Sequence, residues 1–292
     1  MRVVMLVNPI AGRGRALQAV AEFRETFGSC GIAAEQFSDP AAAPGTLDGF
    51  DAALVIGGDG TLNRWLGSLA SSGLPVWHVP FGTENLFART FGHSRRPERF
   101  VAAMHAGERL RIDLGCCGER LFAIMLSLGP DADVVRAVAA ARAGAITRLS
   151  YAGPILRQLF TPLHESSRVM IDDEHFISGR LGMVVVANLP SYAAWLNPAW
   201  HADPADGSLD IVRLGGEGPI GIGLRLLAGW SRDPDLIPDR SVASGRAIEV
   251  HCEQPVAVQV DGDHLDIDTW AGNRLRIETI PAALDVLLPS RN

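Results

Sequence analysis

The sequence contains no lysine, and all 26 of its basic residues are arginines. Three kinds of chemistry depend on a lysine: the Walker A phosphate loop, Schiff-base catalysis and the ATP site of protein kinases. The absence of lysine excludes all three. Any site for a phosphorylated ligand must therefore be built from arginine, backbone N–H groups and a metal ion.

Cysteine is scarce as well, and no apolar run is long. The four cysteines show neither a metal-ligand spacing nor a disulfide framework, which predicts a reducing compartment. No uninterrupted apolar stretch reaches the roughly 18 residues that a membrane span requires. Residues 3–7 are typical of a strand rather than of a secretory signal. These features predict a cytoplasmic protein.

Positive charge is also in deficit, since the net charge is −7. A nucleic-acid partner would require a basic face, so we predict none, although local arginine clusters could still contact anionic lipid. With 292 residues, of which 47% are apolar, the chain can form two modest domains or one large one.

The most informative segment is Gly-Gly-Asp-Gly at residues 57–60, between an apolar run at 52–56 and a helical pattern. Glycines let the backbone turn tightly and bring N–H groups close to a phosphate, and the helix start adds positive partial charge. Asp59 beside such an anion site predicts a Mg²⁺ ion that is carried by a nucleotide and held through water. The alternative is an ordinary strand-to-helix turn capped by Asp59 or Thr61.

Two further loops follow strand patterns. The glycine loop at 8–15 precedes a predicted helix at 16–27, and the loop at 80–85 follows a predicted strand at 76–79. In a doubly wound sheet such loops collect at the carboxyl edge of the strands, where ligands bind. Leu17 stands where the dinucleotide fingerprint needs its last small residue, so a Rossmann-type NAD site is set aside.

We also predict a strand at 33–37 and a helix at 97–106. The arginines near the start of that helix are interpreted as a solvated face rather than a phosphate site: Arg95, Arg96 and Arg99.

Three motifs occur in a fixed order: Asn8-Pro9-x-Ala11-Gly12, then Gly57-Gly58-Asp59-Gly60-Thr61-x-Asn63, then Pro80-x-Gly82-Thr83-x-Asn85-x-x-Ala88-Arg89. Together they resemble the signatures of the diacylglycerol kinase catalytic-domain superfamily, which includes bacterial soluble lipid kinases and the sphingosine and ceramide kinases. The middle motif alone is shared with NAD kinases and is similar to that of phosphofructokinases.

The resemblance implies two domains. A doubly wound, phosphofructokinase-like α/β domain at 1–108, to which residues 280–292 return, would bind ATP and Mg²⁺. A mainly antiparallel β-sandwich at 109–279 would take the lipid substrate. The ATP-binding residues that the resemblance implies are Asn8, Pro9, Gly12, Arg13, Gly57, Gly58, Gly60, Thr61, Asn63, Gly82, Thr83 and Asn85. Relatives commonly carry lysine in the first loop, so Arg13 or Arg15 would replace it here.

Alternating apolar residues predict the strands of the second domain at 110–114, 121–128, 168–171, 181–187, 209–214, 248–252 and 256–260. Helical patterns at 134–143 and 149–160 interrupt them.

Asp261-Gly262-Asp263 follows the last of these strands. By itself this run predicts a tight turn, because Asp-Gly is a hairpin signal. The resemblance implies instead that Asp261 is the catalytic base and a second metal contact besides Asp59. Asp263 would take the place of the glutamate that is usual in the family.

The chain departs from the family pattern at two positions, Arg64 and Leu86. Many relatives have glutamate at the first and aspartate at the second. Leu86 argues against diacylglycerol as the acceptor without removing kinase activity. The aromatic residues Tyr192, Trp195 and Trp200 are interpreted as core packing, with a lipid-facing surface as the alternative.

Three hypotheses follow. The first is an ATP- and Mg²⁺-dependent lipid kinase that acts on a lipid alcohol, contacts the inner face of the membrane transiently and is compatible with an oligomer. The second is an NAD-kinase-like soluble phosphotransferase. The third is a catalytically silent regulator that binds nucleotide or lipid.

Overall fold

The computed structural model describes residues 1–43, 47–140, 166–192, 198–215, 221, 240–265 and 270–290. The chain forms two compact units. The first contains Met1–Asp113 together with Pro281–Asn292, and the second contains Leu114–Ile280.

Strands and helices alternate in the first unit, as the sequence predicts for an α/β fold. Four strands lie parallel in the spatial order β2, β1, β3, β4. The elements are β1 (Arg2–Val7), α1 (Arg15–Ser29), β2 (Ala33–Phe37), β3 (Ala52–Gly57), α2 (Asp59–Ser72), β4 (Val76–Pro80), α3 (Leu86–Thr90) and α4 (Pro97–Ala106), with short 3-10 helices at Ala11–Gly14 and Pro40–Ala42.

The central strands β1 and β3 are buried along nearly their whole length, as is typical of a parallel sheet covered on both faces. On one face, α1 and α4 pack Phe23, Phe27 and Phe100 against one another and against Trp77 of β4. The ring centroids of these aromatic pairs lie between 5.7 and 6.2 Å apart. The apolar stripe predicted at 16–27 is therefore the face that α1 buries.

The second unit is mainly antiparallel. Its elements are β5 (Arg109–Cys117), which begins in the first unit, β6 (Arg120–Phe122), β7 (Met125–Leu128), α5 (Pro130–Ala140), β8 (Ser166–Ile171), β9 (Glu174–Arg180), β10 (Met183–Ala187), β11 (Leu209–Leu214), β12 (Arg240–Gly245), β13 (Ala247–Cys252), β14 (Val258–Val260), β15 (Asp263–Leu265) and β16 (Arg274–Leu287).

Two layers of strands enclose the core of this unit. One sheet has the order β12, β11, β10, β7, β14, β15, and β16, β13, β8 and β9 are paired in the other. Leu126 and Val186 of the first sheet belong to the same buried cluster as Val169, Ile248 and Ile277 of the second. This arrangement is the β-sandwich that the sequence predicts.

Strand β16 begins in the second unit and ends in the first. In the second unit its residues Arg274 to Glu278 pair with β13. In the first unit Val286 pairs in parallel with Val76 of β4, and the amide of Ala282 donates to Asp113 Oδ1 at 2.6 Å.

Some sequence predictions need correction. The single strand predicted at 121–128 is two strands, because Ala123 and Ile124 bend the chain between β6 and β7. The strands β9, β12, β15 and β16 were not predicted, since several of their residues are polar and exposed. The helix predicted at 149–160 and the end of the one predicted at 134–143 lie outside the described residues. None of the helices in the described part is long and apolar enough to cross a membrane.

Candidate functional site

Three loops of the first unit follow neighbouring parallel strands. Val7 of β1 pairs with Ile56 of β3, and Gly57 of β3 pairs with Pro80 of β4, so the three strands end at the same edge of the sheet. The loops at 8–15, 57–60 and 80–85 therefore begin side by side, at the edge where ligands bind in this kind of sheet.

The second and third loops touch through glycines. A Cβ atom on Gly58 would lie 2.8 Å from the Cα atom of Gly82, and one on Gly57 would collide with Thr61. Gly60 differs, because it is exposed and a Cβ atom there would meet nothing within 4 Å. Gly57 and Gly58 are thus required for packing of the chain on itself, whereas Gly60 leaves open space above the start of α2.

Asp59 joins the starts of two helices. It is the first residue of α2, and its carboxylate accepts the backbone N–H groups of Leu86 at 3.0 Å and Phe87 at 3.2 Å, in the first turn of α3. Carboxylates stabilise helix N-termini in this way. Asp59 therefore fixes the geometry between the second and third loops.

Asn85 closes the third loop on itself. Its side chain accepts the N–H of Gly82 at 2.6 Å and donates to the carbonyl of the same residue at 2.9 Å. Asn85 also adopts a left-handed conformation with φ of 51°, which asparagine tolerates better than most residues. Thr83, between them, is exposed.

The first loop is linked to the second by Asn8. Its amide nitrogen Nδ2 donates to Thr61 Oγ1 at 3.4 Å, and its oxygen Oδ1 accepts the N–H of Ile10 at 3.3 Å. After the half-buried Pro9, Gly12 and Arg13 both have φ of 60°. A positive φ costs a residue such as arginine on the order of 1 kcal/mol, so the turn around Arg13 is a strained feature at this edge.

Arg95 is exposed, as predicted for a solvated face, and its guanidinium also contacts the third loop. It stacks on the ring of Phe81 at 4.5 Å, and its Nε donates to the carbonyl of Pro80 at 2.6 Å. Partial burial and the positive charge of Arg15 lower the pKa of Arg95. Two arginines, one from the first loop and one beside the third, therefore bring positive charge to the same edge.

Two buried histidines support the loops from inside. The Nε2 atom of His78 lies 3.0 Å from the carbonyl oxygen of Gly57, and the backbone N–H of His78 donates to His93 Nδ1 at 3.0 Å. Since His93 Nδ1 accepts, its Nε2 carries the proton and donates to the carbonyl of Leu287 at 2.7 Å. Burial lowers the pKa of both histidines, that of His93 to about 3.

In the second unit, Asp261 occupies a tight turn between β14 and β15 with φ of 49°. Its carboxylate accepts three backbone N–H groups, from Ala123 at 2.9 Å, Ile124 at 3.0 Å and Met125 at 2.9 Å. The bend that separates β6 from β7 is therefore organised by this one side chain. Asp263 is exposed and pairs with Arg120 at 3.3 Å.

The remaining predicted positions are found in different environments. Asn63 is buried in α2, while Arg64 beside it is exposed. Leu86 is buried, so an apolar side chain is packed where many relatives have aspartate. Tyr192 is buried, as the packing interpretation predicts, and Trp195 lies outside the described residues. Within the described ranges no three acidic, histidine or cysteine side chains are grouped as a metal site.

Two protein-family domains match the chain. The diacylglycerol kinase catalytic domain matches residues 2–117. The YegS C-terminal NAD kinase beta sandwich-like domain matches residues 124–288. The chain belongs to the diacylglycerol kinase catalytic-domain superfamily.

Relatives of this kinase-family chain span nearly its whole length. The diacylglycerol kinase of Mycobacterium tuberculosis is 29% identical over 306 residues, which cover 99% of this chain and 95% of the relative. A solved diacylglycerol kinase structure from Bacillus anthracis has a TM-score of 0.69 at 16% identity, covering 98% of this chain and 96% of that one. An NAD kinase from Archaeoglobus fulgidus in complex with ATP has a TM-score of 0.57 at 16% identity, covering 99% of this chain and 94% of that one. The two structures show that the fold is shared with both kinds of kinase.

Proposed function

We propose that the chain is an ATP- and Mg²⁺-dependent lipid kinase, which transfers the γ-phosphoryl group of ATP to the hydroxyl of a diacylglycerol- or sphingosine-like lipid. One observation carries the proposal. The loops bearing the three family motifs begin at one sheet edge and are tied together by Asp59, Asn8 and the contact of Gly58 with Gly82. The diacylglycerol kinase of Mycobacterium tuberculosis, which is similar over nearly the full length of the chain, supports it.

The residues at this edge fit a nucleotide. Gly60 leaves the start of α2 open, and the first N–H groups of a helix have no partners within the helix, so they suit phosphate oxygens. Arg13 and Arg15 extend the positive charge of the first loop, and Arg95 adds to it. The other nucleotide-binding residues in the proposal are Asn8, Pro9, Gly12, Gly57, Gly58, Thr61, Asn63, Gly82, Thr83 and Asn85.

Asp59 would hold Mg²⁺ through water. Both of its oxygens accept backbone N–H groups, which fixes the carboxylate in place. A single carboxylate suits Mg²⁺, because this ion retains several waters and takes its remaining ligands from substrate phosphates. Bound there, the ion would neutralise charge on the transferred phosphoryl group.

Asp261 is our proposed base for the lipid hydroxyl, and its carboxylate is also a proposed weak metal contact. The three N–H groups that it accepts hold the carboxylate in one orientation, as a positioned base requires. The hydroxyl proton would move to a carboxylate oxygen of Asp261 as the hydroxyl oxygen bonds to the γ-phosphorus of ATP, while the bond from that phosphorus to the β,γ-bridging oxygen breaks and ADP leaves. Asp263, exposed beside it, would supply the second negative charge of the turn.

The acceptor class implies where the enzyme works. A lipid alcohol resides in a membrane, so we propose transient contact with the inner face by a protein that is otherwise cytoplasmic, with an oligomer compatible with this behaviour. No nucleic-acid partner is proposed, because the net charge is −7. Leu86 argues against diacylglycerol as the acceptor, because the family resemblance implies that many relatives have aspartate at this position.

The test is a transfer assay with ATP labelled at the γ-phosphate and Mg²⁺. Mixed micelles would contain diacylglycerol, sphingosine or ceramide, NAD would be offered in solution, and a reaction without acceptor would measure ATP hydrolysis. Label on a lipid supports the proposal, and omission of Mg²⁺ should abolish it. Label on NAD instead would favour the soluble phosphotransferase, and binding of ATP without any transfer would favour the silent regulator.

A further inference from the structure

A chain of buried polar side chains runs from the Asp261 turn into the second unit. The backbone N–H of Gly262 donates to Gln259 Oε1 at 2.8 Å. The Nε2 atom of Gln259 donates in turn to Ser127 Oγ at 2.7 Å. Gln259 and Ser127 face each other on the paired strands β14 and β7, and both are almost completely buried.

The chain ends at an acidic side chain. The hydroxyl of Ser127 donates to Asp131 Oδ2 in a short hydrogen bond, and the hydroxyl of Tyr192 donates to the same oxygen at 2.8 Å. Asp131 lies in the first turn of α5, where the helix favours negative charge. Burial raises the pKa of Asp131, and the two hydroxyl donors oppose that shift.

Every hydrogen bond in this chain points the same way. Gly262, Gln259, Ser127 and Tyr192 all donate toward Asp131, so each bond polarises the next. The orientation of the Gln259 amide is fixed as a result, with its oxygen toward the turn. We define Gln259, Ser127, Asp131 and Tyr192 as the Gln259 relay.

Packing alone does not explain the relay. Val258 and Val260, which flank Gln259 on β14, belong to the apolar core on one face of the sheet, so Gln259 points to the opposite face, where it is buried as well. A buried polar pair is tolerated only when its hydrogen bonds are made, so an apolar pair would be the simpler choice for stability. At its outer end the relay reaches the backbone at Gly262, next to Asp261, where both residues have positive φ values of 86° and 49°.

We propose that the Gln259 relay holds the turn that carries Asp261, and that Gln259 and Ser127 are positioning residues for phosphoryl transfer. The catalytic part of this inference rests on the proposed function. Asp261 is then fixed from two sides. Ala123, Ile124 and Met125 hold its carboxylate, and the relay holds the amide of the residue that follows it.

The test compares Gln259→Leu, which removes the two relay bonds that the Gln259 side chain makes, with Val258→Ala. The control variant lies on the same strand and should lose stability by cavity formation without touching the relay. Amide hydrogen exchange of Gly262 and steady-state kinetics with the lipid acceptor found for the wild type would be measured on each variant. Ser127→Ala, which keeps the Gln259 side chain, gives a second and milder disruption should Gln259→Leu fail to fold.

We expect faster Gly262 exchange in Gln259→Leu and a fall in kcat of about 10- to 100-fold, because small misplacements of a reacting group have effects of that size. The KM for ATP should stay within about twofold in the same variant. Ser127→Ala should change kcat in the same direction by less, and Val258→Ala should leave kcat per folded molecule unchanged.

Two results would overturn the inference: unchanged Gly262 exchange in both relay variants, or faster exchange with unchanged kcat per folded molecule. A wild type that transfers phosphate to no lipid would refute the proposed function and the catalytic part of the inference together. Gly262 exchange would still decide whether the relay holds the turn, so the two failures can be distinguished.

Discussion

Asp59 and Asp261, two of the three predicted catalytic acids, which also include Asp263, are held in their units by the same kind of hydrogen bonding but in different surroundings. Asp59 in the first unit accepts two backbone N–H groups from the start of α3. Asp261 in the second unit accepts three from the bend between β6 and β7. In both cases a carboxylate accepts hydrogen bonds from the backbone N–H groups of a segment that is distant in sequence.

The difference lies in what surrounds each acid. Around Asp59 the loops are shaped by glycines that allow backbone to approach backbone, as Gly58 and Gly82 do. Around Asp261 the turn is held by side chains, through Gln259 and Ser127. Glycine loops leave N–H groups accessible for a polyanion, whereas a side-chain relay fixes one carboxylate. This contrast suits phosphate binding in the first unit and proton transfer in the second.

The largest effect is expected from Asp261→Asn. The amide keeps the shape of the side chain but cannot take the hydroxyl proton, so turnover should fall about 10²- to 10⁴-fold while ATP binding persists. One of the three N–H groups would also face an NH₂ group, which should lower the free energy of unfolding by about 1 to 3 kcal/mol. Turnover per folded molecule, ATP affinity by calorimetry and urea unfolding would be measured together.

Asp172 provides the matched control for Asp261. It also has φ of 49°, and its carboxylate accepts the N–H groups of Arg246 and Ala247 in the same unit. Asp172→Asn should lose stability with little change in turnover, and Asp263→Glu should be tolerated because it restores the usual family residue. If Asp172→Asn and Asp261→Asn lose the same turnover per folded molecule, Asp261 is only a structural clamp.

A smaller loss, about 10²- to 10³-fold in turnover, is expected from Asp59→Asn, since it weakens charge stabilisation of the phosphoryl group without removing a base. The variant should fold, because the asparagine oxygen can still accept one of the two N–H groups at the start of α3. Asp39→Asn, which alters the cap of the 3-10 helix Pro40–Ala42, is the control in the same unit. Near-normal turnover of Asp59→Asn would refute its assignment to the metal ion.

Gly60→Val should weaken ATP binding about tenfold or more without unfolding the first unit, because a branched side chain would occupy the open space above α2. The matched control is Gly67→Val, since Gly67 is also exposed and unobstructed and lies about 10 Å further along the same helix. Gly58→Val is a poorer probe, because it would push the second loop away from Gly82. Equal ATP affinities of the Gly60 and Gly67 variants by calorimetry would argue against a phosphate site here.

The last effect is on stability rather than on activity or binding, and it concerns the pH dependence of the first unit. His78 and His93 are buried with lowered pKa values, so below the unfolded-state pKa of about 6.5 the unfolded chain takes up protons that the folded chain does not. Stability should therefore fall as pH decreases, by about 2 kcal/mol for His93 at pH 5 relative to neutral pH, and His78 should lower it further in the same direction. Urea unfolding of the wild type and His93→Gln at both pH values would measure it. The variant should lose the part of this dependence that His93 contributes, about 2 kcal/mol, and an unchanged dependence would contradict the assignment.

Much of the fold follows from local sequence patterns. The strands β1, β3 and β4 are short apolar runs ending at glycine or proline loops, and the apolar stripe of α1 has helical spacing, so each is visible without its neighbours. Strands such as β9 and β12 could not be predicted from local pattern, because several of their residues are polar and exposed. They adopt the β conformation because they are hydrogen-bonded to the adjacent strands β8 and β11.

Within the candidate site, sequence motifs identified the three loops and the acidic turn. They could not show the partners of the side chains, since those partners are distant in the chain. Arg95 is exposed, as predicted, but its contact with Phe81 could not be predicted because that contact exists only in the folded third loop. No sequence pattern predicted the Gln259 relay, because glutamine and serine within a strand are as typical of the face exposed to solvent as of a buried hydrogen-bonded pair.

The sequence by itself determined the classes of chemistry open to this protein. The absence of lysine excluded three kinds of chemistry and the order of the three motifs indicated a kinase family, because both depend on residue identity alone. Only the tertiary structure decided which atoms each of the motif side chains contacts. Hydrogen bonds such as those of Asp59 with Leu86 and of Asp261 with Ala123 join residues 27 and 138 positions apart, and such contacts depend on how the chain packs rather than on local pattern.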